Sequence, residues 1–241
     1  MFYKVINILI CGIDEAGRGA IIGPMVISGV VIDSRDEKKL KMIGVKDSKL
    51  LSPKRRKELA RKIEEIARNV IVLRIQPCKI DAYRAKKINL DKIEAMKMAE
   101  IIDICGARKV FVDSLEQNAE KFKELILSFL KNKKVDLVVE NYLDESIPVV
   151  SAASIIAKVN RDEVIEEIKK KEGFDFGVGY SHDVRTIEFI KKLMKEREGQ
   201  LPSYVRQSWS TIHELKNRSI QQKIKDFFKK DEKCKEGKSE G

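Results

Sequence analysis

Two adjacent carboxylates, Asp14 and Glu15, stand at the end of an apolar run in this chain, and the glycine-flanked Arg18 follows them directly. Two acids at the end of a strand can hold a hard cation such as Mg²⁺ or Mn²⁺, which prefers oxygen ligands. The segment Gly17-Arg18-Gly19 offers unshielded backbone and a planar cation to an approaching phosphate. Residues 12–19 therefore predict a metal site beside a phosphate site.

A third acid, Asp113, closes another apolar segment at residues 110–112. Groups at the carboxyl ends of neighbouring strands in an open α/β sheet converge on one crevice, so Asp113 can meet Asp14 and Glu15. Neighbours on a regular strand point to opposite faces, so Asp14 and Glu15 reach one metal only if their strand ends or bulges there. A single acid at a strand end is also a common helix cap, and for Asp113 alone that interpretation stays open.

Hydrophobic patterning predicts the elements that carry these residues. Residues 5–13 and 25–32 are two apolar segments joined by a glycine-rich turn, which indicates a hairpin. Ser52-Pro53 marks one helix start, and Gly106 marks the end of another helix that begins at Asp91. Strands are also predicted at 70–75, 109–112 and 135–139, and helices at 122–129, 151–171 and 186–198. The pattern indicates an α/β sheet with an antiparallel start and a helical C-terminal part.

Composition narrows the class of protein. The 241 residues carry a net charge of +11, which favours a polyanionic partner, although a lysine-rich surface in a hot-living organism explains it equally well. The four cysteines form no Cys-x-x-Cys pair, as expected of reduced thiols in the cytoplasm. No apolar run is long enough to span a membrane, and no secretory signal is visible. The chain also lacks the phosphate-binding loop Gly-x-x-x-x-Gly-Lys-Ser/Thr, which disfavours an NTPase. We expect a cytoplasmic protein without a membrane segment.

Five motifs follow one another along most of the chain. They are residues 12–19, Asp47-Ser48-Lys49, Val112-Asp113, residues 149–159 with Arg161-Asp162, and Gly177-Val178-Gly179-Tyr180 with Asp183. Each alone is a weak signal, but five in order are specific. Together they resemble the type 2 ribonucleases H (ribonuclease HII), particularly the archaeal form.

The resemblance implies a ribonuclease H-like fold, in which helices flank a mixed central sheet. It assigns the family's metal-binding carboxylates to Asp14, Glu15, Asp113 and Asp144, which would also be the catalytic residues. Four carboxylates together need cations to neutralise them, which argues for two divalent ions, Mn²⁺ or Mg²⁺. The residues before Asp144 depart from the family pattern, so Glu140 stays open as the fourth carboxylate.

Recognition of a ribose depends on the 2′-hydroxyl, which alone separates RNA from DNA at one nucleotide. The resemblance implies that Gly17, Arg18 and Gly19 read this hydroxyl and that Tyr180 stacks on the neighbouring deoxyribose. Lys49 is a candidate phosphate contact, with an ordinary solvated lysine as the equal alternative. Ser154 and Lys158, which the patterning puts near a helix N-terminus, are weaker phosphate candidates.

A separate motif lies close to the C-terminus. Gln221, Ile224, Phe227 and Phe228 fit Gln-x-x-Ile-x-x-Phe-Phe, which resembles the short peptide by which replication and repair enzymes dock on the sliding clamp. Adjacent aromatics in a charged segment are costly to leave in water, and an apolar groove on a partner would cover them. The alternative is that both phenylalanines pack back on the enzyme as a last helical turn.

We predict three regions: a ribonuclease H-like catalytic core at 1–183, a helical part packed on it at 184–220, and the clamp-binding peptide with a flexible tail at 221–241. A type 3 ribonuclease H is disfavoured, because the first catalytic strand begins at about residue 5 and leaves no room for an additional N-terminal domain.

The predicted activity, again by resemblance, is that of a monomeric endoribonuclease. It would hydrolyse the RNA strand of RNA–DNA hybrids and nick duplex DNA 5′ to embedded ribonucleotides, leaving a 3′-hydroxyl and a 5′-phosphate. The implied roles are ribonucleotide excision repair and removal of RNA primers in replication. A DNA-cleaving nuclease or recombinase of the same fold, and a nucleic-acid-binding protein without catalysis, are the alternatives.

Overall fold

A computed structural model describes residues 8–45 and 51–221 of the chain. Within them the strands are β1 (Leu9–Ala16), β2 (Met25–Asp33), β3 (Asn69–Ile75), β4 (Lys109–Asp113) and β5 (Asp136–Glu140). The helices are α1 (Glu37–Ile43), α2 (Pro53–Ile66), α3 (Pro77–Ala85), α4 (Leu90–Cys105), α5 (Ala119–Phe129), α6 (Leu143–Ser146), α7 (Pro148–Glu172) and α8 (Val184–Glu196). Residues 210–221 are also helical.

One mixed sheet organises the described residues, with strand order β3-β2-β1-β4-β5. β1 and β2 form the predicted antiparallel hairpin, and β3 extends it on the far side of β2. β1, β4 and β5 are parallel, so their carboxyl ends meet at one edge of the sheet. Ile13 pairs with Val112 in the register of β1 and β4, which brings Asp14 and Asp113 side by side one residue later. The predicted fold class is confirmed.

Helices cover both faces of the sheet, because residues on its central strand alternate between two apolar layers. Cys11 and Ile13 of β1 belong to one buried cluster with α4 and α5. Ile10 belongs to another buried cluster with α2 and α7. Gly12 lies against the Val149–Val150 backbone of α7, where a Cβ would overlap those atoms, so the helix can approach the strand closely.

Local sequence signals account for several helix ends. Ser52, Asn89 and Asn118 each accept a backbone N–H of the first turn through the side chain, at the starts of α2, α4 and α5. Gly106 adopts a left-handed conformation, with φ 67°, just after α4. The predicted ends of α2 and α4 are therefore confirmed to within one or two residues.

Other boundaries differ from the predictions. The helices α1 and α3 were not predicted, since both are short and α3 has no clear apolar stripe. α7 begins at Pro148 rather than at residue 151, because proline is tolerated in the first helical turn. β1 continues to Ala16 rather than ending at Ile13, so Asp14 and Glu15 lie within the strand.

A third buried cluster joins the C-terminal helices to the glycine-rich turn after β1. It contains Ile21 and Ile22 of that turn together with Phe176, residues of α8, and Ile212 of the helical segment 210–221. The predicted region boundaries at 183 and 220 stay predictions. No helix in the described part of the chain is long and apolar enough to cross a membrane.

Candidate metal centre and nucleic-acid cleft

Three carboxylates meet at the carboxyl edge of the parallel strands. Asp14 lies near the end of β1, Asp113 ends β4, and Asp144 lies in α6 just after β5. Each offers an oxygen, and these oxygens all lie within 4.8 Å of one another. All three residues are buried, with 5 to 6% of their surface exposed. Such a group of oxygen ligands suits a hard divalent cation.

Glu15 does not belong to that group, because the strand is regular through both acids. Asp14 pairs with Ser28 and Glu15 with Ile27, without a bulge. The two side chains therefore lie on opposite faces of the sheet, Asp14 toward α7 and Glu15 toward Glu94 of α4. The condition under which both acids reach one metal, a strand that ends or bulges at this pair, is therefore not met, and Glu15 approaches the site from the α4 side.

Burial dominates the electrostatics of this group. It raises the pKa of Asp14 from 3.8 to about 6, although a hydrogen bond from Ser154 and the charge of Lys158 oppose the change. Burial, followed by the charges of Asp14 and Asp144, raises the pKa of Asp113 to about 7. Burial also raises the pKa of Glu15 well above its ordinary value, with the charge of Glu94 as the next cause. The nearby positive charges, Lys158 beside Asp14 and Arg18 beside Glu15, do not offset the cost of burying these carboxylates.

The donor set fits a divalent cation on two grounds. The oxygens belong to carboxylates, which are the ligands that Mg²⁺ and Mn²⁺ prefer. In addition, Oε2 of Glu15 is buried and has no hydrogen-bond partner among the described residues. A buried acceptor without a donor is costly, and a cation would remove that cost.

Asp144 and Glu140 occupy different positions. Glu140 ends β5 opposite Asp113 in the register but is exposed and lies outside the three-carboxylate group. Between them the chain turns through Tyr142, which has a φ of 63° and precedes α6. The N–H of Leu143, the first residue of α6, donates to Oδ1 of Asp113 at 2.7 Å. Asp113 therefore accepts an N–H at the start of α6 and is also a member of the acidic group. It does not cap α5, the next helix along the chain, which is capped by Asn118.

Ser154 and Lys158 lie beside Asp14 rather than at a helix N-terminus. They are one turn apart within α7, which begins at Pro148, and Lys158 Nζ donates to Ser154 Oγ at 2.7 Å. Both favour the ionised form of the Asp14 carboxyl. The prediction that they lie at the start of a helix is wrong, because the helix begins earlier than its polar residues indicate.

Gly17 and Gly19 meet different constraints. Gly17 is buried with a φ of 79°, and a Cβ there would come within 2.5 Å of the Arg161 side chain. The fold itself therefore requires glycine at this position. Gly19 is exposed, its φ lies outside the left-handed region, and a Cβ would meet no atom within 4 Å. Among the described glycines only Gly19 combines an ordinary φ with open space, so packing does not require it.

The Arg18 side chain is held by three carboxylates. Its Nε donates to Glu94 at 2.7 Å, and its Nη2 contacts Asp91 at 2.5 Å and Glu116 at 2.6 Å. Glu94 is 2% exposed, whereas the Arg18 side chain keeps 24% of its surface exposed. Direct binding of a phosphate by Arg18 stays a prediction, and here its guanidinium anchors the loop to α4.

Tyr180 is half-buried and lines the same cleft as the glycine loop. Its ring centroid is 4.6 Å from the guanidinium carbon of Arg161 and 5.5 Å from the His182 ring. Arg161 in turn donates to the Val178 carbonyl at 2.7 Å and packs against Gly17. This cleft is lined by Glu15, Gly17, Arg18, Gly19, Leu115, Lys158 and Tyr180, among others. The predicted loop and the predicted tyrosine therefore face one cleft beside the acids.

Several predicted contacts fall outside the described residues. Lys49 belongs to the segment 46–50, and Ile224, Phe227 and Phe228 belong to 222–241. Gln221 is the last described residue, exposed and helical. The roles of all five stay predictions.

Sequence reasoning missed two side chains that shape the cleft. Glu94 was detectable, because it shares the buried stripe of α4 with Met98 and Ile101, where an acid is unusual. Arg206 is fully buried in an irregular segment after α8, and no local pattern distinguishes it from a surface arginine.

A family model described as Ribonuclease HII matches residues 11–212, a range that contains the acids, the glycine loop and Tyr180. The chain is also 42% identical over 214 residues to a Ribonuclease HII of Methanosarcina acetivorans. That alignment covers 86% of this chain and 96% of the relative.

Two solved structures are similar over the same extent. The ribonuclease H2 of Pyrococcus horikoshii OT3 superposes with a TM-score of 0.80 at 38% identity, covering 87% of this chain and 98% of that one. The PCNA:RNase HII complex of Archaeoglobus fulgidus gives 0.77 at 40% identity, covering 86% and 96%. With the acidic edge and the glycine loop in the positions that the motifs predict, the chain belongs to the ribonuclease HII family.

Proposed function

We propose that this nuclease hydrolyses the RNA strand of RNA–DNA hybrids and nicks duplex DNA on the 5′ side of embedded ribonucleotides, leaving a 3′-hydroxyl and a 5′-phosphate. The observation that carries the proposal is the buried group Asp14, Asp113 and Asp144 beside the exposed Gly19. The acids supply a site for hydrolysis, and the open glycine supplies close access to a sugar.

Asp14, Asp113, Asp144 and Glu15 would hold two divalent ions, Mg²⁺ or Mn²⁺. Such ions activate a water molecule and stabilise the leaving oxygen in a displacement at phosphorus. The three neighbouring aspartates support a position for one ion. Glu15, which approaches from the α4 face, supports a position for the other. The exposure of Glu140 favours Asp144 as the fourth carboxylate.

The surrounding side chains hold these acids in place. Ser154 and Lys158 favour the ionised form of Asp14, and the Leu143 N–H fixes one oxygen of Asp113. Because these contacts come from α7 and α6, two separate elements orient the acids before substrate arrives. Preorganised ligands avoid the cost of rearrangement at the moment of reaction.

Ribose recognition follows from the walls of the cleft. Gly19 leaves room for a sugar to approach the backbone, and Tyr180 presents a ring supported by Arg161 in the same cleft. A close polar contact on one side and a flat apolar surface on the other would distinguish a ribose from its deoxyribose neighbour. Gly17, Arg18 and Lys49 are the further substrate contacts in this proposal.

The test uses three substrates: a duplex with one ribonucleotide, the same duplex with deoxyribose there, and a continuous RNA–DNA hybrid. With Mg²⁺ or Mn²⁺, we expect cutting of the first and third only, and mapped ends with a 3′-hydroxyl and a 5′-phosphate. Equal cutting of the all-DNA duplex would indicate a DNA nuclease. Binding of all three without cutting would indicate a nucleic-acid-binding protein.

We also propose that the C-terminal peptide docks on a sliding clamp, which would direct the enzyme to ribonucleotide excision repair and primer removal. The similar enzyme from Archaeoglobus fulgidus was solved in complex with PCNA, and this chain carries Gln221, Ile224, Phe227 and Phe228 in the spacing of a clamp-binding peptide. Gln221, the first residue of this motif and the last described residue, is exposed and helical. The monomeric state and the cytoplasmic location stay predictions.

A further inference from the structure

Arg206 is a charged side chain with none of its surface exposed. Its Nε donates to the Gly23 carbonyl at 3.1 Å, Nη1 to the Arg18 carbonyl at 2.6 Å, and Nη2 to the Gly17 carbonyl at 2.5 Å. No carboxylate forms an ion pair with it among the described residues. A buried arginine is normally paired with an acid, whereas the hydrogen bonds of this guanidinium all go to the carbonyls of a single loop.

The backbone around Arg206 is attached to the same loop. The Arg206 N–H donates to the Ile21 carbonyl at 2.9 Å, and the Gly23 N–H donates to the Tyr204 carbonyl at 2.9 Å. The guanidinium carbon also lies 4.8 Å from the centre of the Trp209 ring. The backbone hydrogen bonds and the Trp209 ring fix the position of the guanidinium, so it can hold the loop carbonyls in a defined direction.

The direction of those carbonyls determines where two amides point. In a planar trans peptide the C=O of one residue and the N–H of the next point in opposite directions. With the Gly17 and Arg18 carbonyls bound to Arg206, the N–H groups of Arg18 and Gly19 face away from it. Neither amide has an acceptor among the described residues, and both belong to residues that line the cleft. They are free donors for an oxygen of the substrate.

The Arg18 side chain supports the same arrangement from the other side. Its contacts with Glu94, Asp91 and Glu116 tie the loop to α4 and to the segment after β4. The peptide between Gly17 and Gly19 is therefore restrained by both contacts, while its two amides have no acceptor among the described residues.

We propose that Arg206 is a positioning residue for ribose recognition: by holding the Gly17 and Arg18 carbonyls it aims the Arg18 and Gly19 amides at the 2′-oxygen of the ribonucleotide. This inference rests on the proposed function. Arg206 itself would not touch the substrate, because its guanidinium is fully buried beneath the loop. It would set the preference for ribose over deoxyribose and contribute little to the binding of duplex DNA in general.

The test measures binding without cleavage, in EDTA, by fluorescence anisotropy. Two duplexes are compared, one with a single ribonucleotide and one with deoxyribose at that position. Arg206→Lys keeps the charge but not the planar fork that reaches three carbonyls. Loss of one aligned hydrogen bond to the substrate corresponds to about a tenfold loss of binding affinity. We therefore expect the ratio of the affinities for the ribose and deoxyribose duplexes to fall about tenfold. The affinity of this variant for the all-DNA duplex should change by less than about twofold.

Arg35→Lys is the matched control. Arg35 also makes charge-assisted hydrogen bonds, to Asp33 at 2.9 and 3.0 Å. Asp33 pairs with Leu9, at the end of the hairpin opposite the glycine-rich turn. The affinity ratio should be unchanged in this variant.

Each outcome decides between the claims. If the wild-type protein binds both duplexes equally, ribose recognition in the proposed function fails, and the role of Arg206 fails with it. If the wild type prefers ribose and Arg206→Lys keeps that preference, or loses affinity for both duplexes equally, only the role of Arg206 is overturned. Arg206→Met provides a second variant if the lysine variant does not fold. If neither variant folds, Arg206 serves the fold rather than recognition, and the inference is rejected.

Discussion

Replacing Gly19 with alanine should separate substrate access from folding. A Cβ at this position meets no protein atom within 4 Å, and the φ of Gly19 lies outside the left-handed region. Alanine at a compatible site stabilises a protein by about 0.4–1 kcal/mol, because it restricts the unfolded chain. The free energy of unfolding should therefore stay equal or rise slightly in Gly19→Ala.

Activity should change in the opposite direction. If the sugar of the ribonucleotide approaches the Gly19 backbone, the new methyl group occupies that space and displaces the substrate from the acids. A misplacement of about 1 Å can reduce the rate about a hundredfold. We expect kcat/KM for nicking a single-ribonucleotide duplex to fall by about that factor.

Gly106→Ala supplies the reciprocal control. Gly106 also has open space around its Cβ position, but its φ of 67° is unfavourable for alanine. That substitution should destabilise the protein by about 1 kcal/mol and leave nicking unchanged. Urea unfolding and steady-state nicking in Mg²⁺ on the three proteins measure both quantities.

Two results would contradict the reasoning. Near-normal kcat/KM in Gly19→Ala would show that nothing approaches this backbone during the reaction. A loss of stability as large as that of Gly106→Ala would show that the fold, rather than a ligand, requires glycine here.

Four further predictions follow from the acids and the C-terminus. Asp14→Asn and Asp113→Asn should each abolish nicking while largely sparing duplex binding, and normal turnover in either variant would exclude that residue as a metal ligand. Because burial raises the pKa of Asp14 to about 6 and that of Asp113 to about 7, protons compete with metal below these values, and Mn²⁺ affinity measured by calorimetry should increase from pH 5 to pH 8. The same raised pKa values mean that the native state holds more protons than the unfolded state. The free energy of unfolding in EDTA should therefore fall as pH rises from about 4 to 7, and it should fall less steeply in Asp113→Asn. An identical slope in the wild type and in this variant would contradict the raised pKa of Asp113. Replacing Phe227 and Phe228 with alanine should abolish binding to a sliding clamp, measured by surface plasmon resonance, without changing basal nicking; retained clamp affinity would disprove the peptide assignment.

Much of the fold was predictable, because the signals involved are local. Apolar segments before Asp14 and Asp113 predicted two strands that lie side by side in the sheet, and Ser52 and Gly106 marked helix ends within one or two residues. α1 and α3 escaped prediction because short helices owe their stability to packing rather than to an internal pattern.

The residue types of the metal site also followed from the sequence, but their arrangement did not. Asp14 and Glu15 are neighbours in sequence, yet a strand that stays regular to Ala16 directs them to opposite faces. The sequence left both Asp144 and Glu140 open as the fourth carboxylate. Only the turn at Tyr142 brings Asp144 toward Asp113 and leaves Glu140 exposed. Such a choice depends on backbone direction in three dimensions, which residue spacing does not encode.

The sequence by itself indicated the family, the candidate acids and the glycine loop, because each belongs to a short local motif whose residue types can be recognised without knowledge of the fold. The tertiary structure alone decided how that loop is held. Glu94 and Arg206 lie 76 and 188 residues from Arg18 in the sequence. Glu94 accepts a hydrogen bond from the Arg18 side chain, and Arg206 donates one to the Arg18 carbonyl. A buried charge is explained by what surrounds it, and for these two residues the surroundings are assembled from distant parts of the chain.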